Sequence, residues 1–284
     1  MKKMTYVLVR YSLLVENSKG WQIADEDLQT YRDKLFDVKR LKQRLELFEK
    51  ITLPSLISQT KSPSTDWLEV VIITSQDLPS WNKEELEKIV AKYDWISIDY
   101  LPSKKSDTYR FLWKNLDSSQ EDVLFSTVRL DDDDALANDF FEKMDPYFKE
   151  DNVGFGLSFG NGYAGFYDFE SGCYEKVVDY YSPKVAIGLS HFNIYRSSSK
   201  SFVSEKIKTI YHARKHVTVD LYIPIILDSR ELMFIRTMHN NSDSSNNKAR
   251  EAKLRKQPAT DTKILYDKFP FCKNLYQNNE KNPI

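Results

Sequence analysis

The chain has 284 residues, enough to bury one sizeable core, and its 41 Lys and Arg against 42 Asp and Glu give a net charge of −1. A hydrophobic fraction of 41% with 29% charged residues fits a packed globule, the near-neutral balance excludes a globally basic nucleic-acid binder, and no apolar run approaches the roughly 20 residues of a membrane span. Two cysteines, Cys173 and Cys272, exclude a disulfide scaffold and a multi-cysteine metal site and fit a reducing compartment, so a cytoplasmic location is expected.

The first apolar stretch is interrupted by Arg10 and has no cleavage site after it, so residues 6–9 read as a buried strand. Arg10, Tyr11 and Ser12 then stand at its carboxyl end, which faces the ligand crevice in open α/β sheets, or else they form a surface turn. From 32 to 51, Val38, Leu41, Leu45, Phe48 and Ile51 recur at steps of three and four, the stripe of an amphipathic helix that Pro54 breaks or kinks. WLEVVII at 67–73 predicts a central strand ending near Asp77, followed by a helix over 83–93 and a strand over 95–101. A helix over 106–116 and a strand over 123–130 lead directly into DDDD. This alternation predicts a largely parallel sheet covered on both faces.

Six of the eight glycines lie between 154 and 172, interleaved with Phe155, Phe159, Tyr163, Phe166, Tyr167 and Phe169. They read as hairpins lining a cleft, or as turns packed on a core. A last strand is expected at 232–236. The polar stretch after it cannot bury enough surface to order itself, so the core is expected to end near Asn241, leaving a polar, partly basic tail over 241–284.

Four consecutive aspartates, Asp131 to Asp134, raise one another's pKa by repulsion, and something cationic should neutralise them. Carboxylates together with diphosphate oxygens suit magnesium or manganese. In extended backbone Asp131 and Asp133 point one way and Asp132 and Asp134 the other, giving half a metal site. A solvated acidic loop is the alternative, and Asp134 also suits the cap of a helix expected to begin with Ala135, Leu136, Phe140 and Phe141. EKIKTIYHARKH reads as helix-like, with His212 and His216 at a metal-compatible spacing but without a third ligand. A catalytic base, where one is needed, has candidates in Asp220, His212, His216 and Glu205, with Asp220 foremost.

VRLDDDDAL, LFEKITLPSLISQ and TMHNNS together resemble the bacterial "putative rhamnosyltransferase" family, and strand, helix, TLPSLISQ and strand resemble the opening of the GT-A nucleotide-diphospho-sugar transferases. The resemblance covers roughly residues 5–240. It implies a single GT-A-like α/β domain over 1–240, with a donor-binding half about 1–136 and an acceptor-binding half about 137–240. The activity implied is metal-dependent transfer of a sugar from a nucleotide-sugar donor to a cell-surface polysaccharide or glycolipid. The donor would lie near Arg10, Tyr11, Ser12 and Asp77, with Arg129 in the same set and Asp131 on ribose or metal. Asp133 would be the principal metal ligand and His239 would complete the shell, which favours manganese. Asp132 stands where many relatives carry a non-acidic residue, so the metal-binding pair stays open.

The basic cluster Lys248, Arg250, Lys253, Arg255 and Lys256 suits peripheral contact with anionic lipid at the inner membrane. Two other readings fit the acidic run: a sugar-phosphate or nucleotidyl transferase, and a non-catalytic calcium-dependent carbohydrate-binding protein. The lack of a phosphate-cradling glycine loop with lysine excludes the P-loop triphosphatases.

Overall fold

The computed structural model describes residues 1–14, 28–103, 109–239 and 248–276. The start of the expected 106–116 helix and the polar stretch 240–247 lie outside the described residues.

Strand β1 (Lys2–Arg10) carries Val7, Leu8 and Val9 with no exposed surface, and it sits in the middle of the main sheet. On one side it pairs in parallel with β2 (Leu68–Ser75), which pairs in parallel with β3 (Ile96–Leu101). On the other side lies β4 (Val123–Asp131), again parallel, in the register that sets Arg10 opposite Asp131. This is the expected α/β sheet with a mostly parallel centre. Its far half is mixed: β9 (Ser190–Arg196) runs antiparallel to both β4 and β6 (Gly156–Phe159), with β10 (Ser201–Phe202) beside it and β11 (Ile225–Asp228) at the edge.

Helices cover the sheet. The stripe expected over 32–51 divides into α1 (Leu28–Leu35) and α2 (Val38–Leu47), because the Asp37 side chain accepts the Arg40 N–H and starts a new helix there. Leu41, Phe48 and Ile51 are fully buried, while Val38 is exposed. Pro54 does not break the run. A π-helical turn at Phe48–Thr52 carries the chain into α3 (Leu53–Ile57), the Leu53 N–H reaching back five residues to the Phe48 carbonyl. Two further helices, α4 (Ser80–Val90) and α5 (Arg110–Asp117), follow β2 and β3.

After β4 the chain forms β5 (Ala135–Leu136), and only then the short α6 (Phe140–Met144). Ala135 and Leu136 are therefore not helical as expected, since they pair with a strand 99 residues later in the order β5, β12, β7, β8 of a second sheet. That sheet comprises β7 (Asn161–Asp168), β8 (Cys173–Tyr181) and β12 (Phe234–Met238). The glycine-rich segment builds the β7–β8 hairpin. Added Cβ atoms at Gly162 and Gly165 would stand 2.4 Å from the Phe234 carbonyl oxygen and 2.6 Å from the Tyr174 ring, so the close strand contacts require glycine there. Phe159, Tyr163 and Phe166 are buried in the core, while Tyr167 and Phe169, at the turn end of the hairpin, line a cleft against α1 and α2.

The core does not end near Asn241. Helices α7 (Lys248–Arg255), α8 (Thr262–Lys268) and α9 (Cys272–Leu275) close over the second sheet, and Leu254, Leu265, Phe269, Cys272, Leu275 and Tyr276 are all buried. The Thr260 N–H donates to the Val177 carbonyl of β8, and the Phe269 ring meets Tyr163 edge-on at 5.9 Å. Composition hid this because the apolar residues are sparse and spaced among charged ones.

Candidate active site

The carboxyl ends of β1, β2 and β4 come together at one edge of the sheet, and the four aspartates lie there. The periodicity of two along β4 puts Arg129 on the same face as Asp131, and the parallel register puts Arg10 beside it. Arg10 donates to Asp131 Oδ1 at 3.1 Å and Arg129 to Oδ2 at 3.4 Å. Both guanidinium groups lie over the Tyr211 ring, at 4.8 and 5.3 Å, and its hydroxyl is tied to the Leu8 carbonyl. Burial alone would raise the Asp131 carboxyl, but Arg129 and Arg10 outweigh it and hold it at about 2.

After Asp131 the chain turns rather than staying extended, the Asp134 N–H pointing to the Asp131 carbonyl at 3.3 Å. The expected alternation of side chains is lost, and neighbouring Asp132 and Asp133 share one cation. Arg44 from α2 stands 3.3 Å from Asp132 Oδ1 and donates to Asp133 Oδ2 at 2.5 Å. On Asp133, Arg44 and His239 overcome the upward pull of burial and hold the carboxyl below the usual range. Asp132, more enclosed and beside Asp133, is pushed up to about 7 despite Arg44. Asp134 caps no helix. It accepts the Thr237 N–H of β12 at 3.0 Å, and burial next to Asp133 and Asp131 raises it well above its usual value.

The neutralising charge anticipated for the run is thus supplied by arginines. Arg44 was missed in the sequence, although its signal is legible: it falls on the apolar stripe between Leu41 and Leu45, where a charged residue needs a buried partner. The TLPSLISQ segment explains itself in the same way. Thr52 Oγ1 donates to the Asp134 carbonyl, Ser55 Oγ accepts the Leu136 N–H, and Gln59 Nε2 donates to the Ala137 carbonyl. Its polar side chains bind the backbone on which the aspartates are mounted.

His239 arrives from the end of β12. Because β5 pairs with β12, the chain just before β5 is led past the chain just after β12, and His239 Nε2 lies 2.9 Å from Asp133 Oδ2 across 106 residues. The ring is packed edge-on by Phe169 from the β7–β8 turn at 5.6 Å. Behind it a cavity of about 770 Å³ opens between α1, α2 and that turn, with Arg40 in its wall donating to Ser12 Oγ at 3.1 Å.

Of the other residues expected at the site, Tyr11 is fully buried with its hydroxyl on Asn82, and Ser12 is buried at a positive φ of 41°. Asp77 lies just past β2, its N–H on Ser75 Oγ. The segment carrying His212 and His216 is not one helix, since Arg214 at φ 64° separates two 3-10 turns, Ile210–Ala213 and His216–Leu221. His212 Nδ1 stands 2.8 Å from Thr209 Oγ1, and Asp220 pairs on the surface with Lys184 at 2.7 Å. The bonds of His212 and Asp220 lie away from the aspartate turn, whereas the buried Tyr11 hydroxyl feels the charges of Asp132 and Arg44. His216 is different: its Nδ1 meets the Lys184 carbonyl at 2.8 Å, and its ring feels the charges of Arg129, Arg236 and Asp131. Glu205 accepts the Phe202 N–H at 2.9 Å.

A family model described as "Putative rhamnosyl transferase" matches residues 5–251. The chain belongs to this family of glycosyltransferases. The match takes in the three motifs that suggested it, and the structure bonds the acidic turn both to the TLPSLISQ segment and to Thr237 and His239 of TMHNNS. The fold is of the expected α/β class, with a central sheet that is parallel at β1 to β4. Comparison with curated proteins returns no match. Similar solved structures include S. aureus TarS, at 14% identity over 84% of this chain and 37% of that one, with a TM-score of 0.36. The chain thus spans well under half the length of TarS. Others are the mannosyltransferase PcManGT from Pyrobaculum calidifontis in complex with GDP-Man and Mn2+ (11% identity, 96% of this chain and 69% of that one, TM-score 0.45), and the 4-diphosphocytidyl-2C-methyl-D-erythritol synthase from Anaerococcus prevotii (12%, 93% and 94%, 0.31).

Proposed function

We propose that the protein transfers a sugar from a nucleoside-diphosphate donor to a polysaccharide or glycolipid acceptor of the cell surface, with the donor diphosphate held at Asp133 and His239. The observation that carries this is the acidic turn at the ends of parallel strands, with an imidazole brought onto its third carboxylate, in a chain of a glycosyltransferase family.

The donor set fits a divalent cation. His239 Nε2 and Asp133 Oδ2 stand 2.9 Å apart, and together they would hold one divalent cation. Carboxylate and neutral imidazole suit manganese, with substrate oxygens and water as the remaining ligands. Asp131 is turned to Arg10 and Arg129, and among the described residues no group of three or more His, Cys, Asp or Glu converges as a closed site. The protein's share is therefore Asp133 and His239, with Arg44 as the counter-charge that keeps Asp133 ionised. A bound cation supplies positive charge to the departing diphosphate. Arg10 and Arg129, rigid on Tyr211, add fixed positive charge beside that position.

His216 is the candidate base. Its Nδ1 can only donate to the Lys184 carbonyl, which leaves Nε2 with the lone pair. Transfer then joins the acceptor oxygen to the anomeric carbon, the nucleoside diphosphate leaves with the bonding electrons, and the acceptor proton passes to Nε2.

A thermal-shift panel of UDP, GDP, dTDP and CMP with manganese, magnesium or EDTA tests the donor site. One nucleotide at a hundred times its Kd should add about 2.7 kcal/mol, a rise of roughly 5 to 10 °C, only with metal. Asp133→Ala should remove the shift. Stabilisation by calcium alone, with no nucleotide bound, would overturn the reading.

A further inference from the structure

The main sheet ends at β11, and there the surface changes character. Leu221 is 75% exposed, and Val217, Tyr222, Leu227 and Tyr181 are each more than two-fifths exposed. They form one neighbourhood. Leu227 and Tyr181 both stand within 3.3 Å of where a Cβ on Gly160 would sit, while the Lys184–Asp220 ion pair and the bond from His216 to the Lys184 carbonyl tie the chain just after Tyr181 to the His216–Leu221 turn. That turn is anchored from below: Val219 is buried with Leu189, Ile210, Ala213 and Ile223 in a small cluster of its own. Its apolar residues therefore divide, one holding the turn in place and the others projecting outward from a rigid base.

The charges around this tip are mostly positive. Arg214 lies over the Tyr222 ring at 5.1 Å, Lys215 is exposed beside it, and the one carboxylate within 214–222, Asp220, is neutralised by Lys184; next to Leu227, Asp228 is paired with Arg230, and Asp179 is exposed on the strand of Tyr181. Exposed aliphatic residues flanked by tyrosines and ringed by cations match the layers of an anionic bilayer surface: hydrocarbon boundary, headgroup interface, phosphate. The basic cluster suggested by the sequence is a poorer fit. Arg250 lies over Tyr180, and Arg255 is committed to Glu175, Glu251 and the Phe166 ring, so α7 directs both at the second sheet.

We propose that the 214–222 tip, with Tyr181 and Leu227, is a docking site for an anionic membrane surface, through which the enzyme receives an acceptor carried on a lipid. The acceptor part of the inference rests on the transferase reading above: His216, on the inner side of the same turn, would meet the acceptor hydroxyl as the outer side meets the bilayer.

The test is sedimentation of the full chain with vesicles of phosphatidylcholine alone or mixed with phosphatidylglycerol. Binding is expected only to the mixed vesicles and should weaken with salt. Lys215→Gln should lower the partition coefficient about fivefold, the equivalent of about 1 kcal/mol per basic residue at the surface. Val217→Ser with Leu221→Ser should lower it at least tenfold, and Lys253→Gln with Lys256→Gln should leave it unchanged. The exposed tip variants should keep the metal-dependent nucleotide shift, so a loss of vesicle binding with that shift intact tests docking alone. No binding to the anionic vesicles overturns the proposal, as does binding that survives the tip substitutions. Concentration-dependent self-association abolished by the tip variants, without vesicle binding, would assign the surface to a second copy of the chain instead.

Discussion

His216 shows how environment decides a side chain's chemistry. Burial lowers its pKa from 6.5, the bond to the Lys184 carbonyl opposes this, Arg129 and Arg236 lower it further, and Asp131 pulls the other way. The net direction is down, so the neutral ring persists below the ordinary histidine range. With a base of this kind kcat/KM should be flat through neutrality and fall only as acidification protonates Nε2, below pH 6.5. His216→Gln should cost about 10²- to 10⁴-fold in kcat while leaving nucleotide binding intact. A variant within a few-fold of wild type would move the base elsewhere. At the same scale, Asp131, Asp132, Asp133 and Asp134 have different fates although they are consecutive. Asp131 is held low by Arg10 and Arg129 and Asp133 by Arg44 and His239, while burial pushes Asp132 up to about 7 and raises Asp134.

At the scale of elements, the site depends on the continuous α2, π-turn and α3 run. Leu136 enters β5 with its N–H on Ser55 Oγ, which also donates to the Thr52 carbonyl. Ser55→Ala leaves that buried N–H without its partner, at a cost of about 1–3 kcal/mol. Urea unfolding should show the loss, and nucleotide affinity should fall with it, because β5 carries the aspartate turn. A variant as stable as wild type would mean that β5 is held by its pairing to β12 alone. The helix was legible in the spacing of Leu41, Leu45, Phe48 and Ile51, and the start of the acidic turn in the end of an apolar strand. The bonds between them were not, since they join residues some eighty positions apart.

The whole molecule is held together by the part that looked least structured. Residues 254–276 cover the outer face of the second sheet, and Phe269 is fully buried against Tyr163. Phe269→Ala should cost about 3–5 kcal/mol, a fall in Tm of roughly 10 °C, measurable by calorimetry. The second sheet carries β12 and hence His239, so metal-dependent nucleotide binding should weaken as well. A variant melting with wild type would return the segment to the status of a dispensable tail. What the sequence by itself determined is what local periodicity and composition encode: the strands β1 to β4, the apolar stripe of α2, the acidic run at a strand end, and the family. Only the tertiary structure decided which charges meet. Strand register brought Arg10 to Asp131, the antiparallel pairing of β5 with β12 brought His239 to Asp133, and burial against unequal partners lowered two of the four carboxyls and raised the other two. Register and burial are properties of segments distant along the chain, and no local pattern carries them.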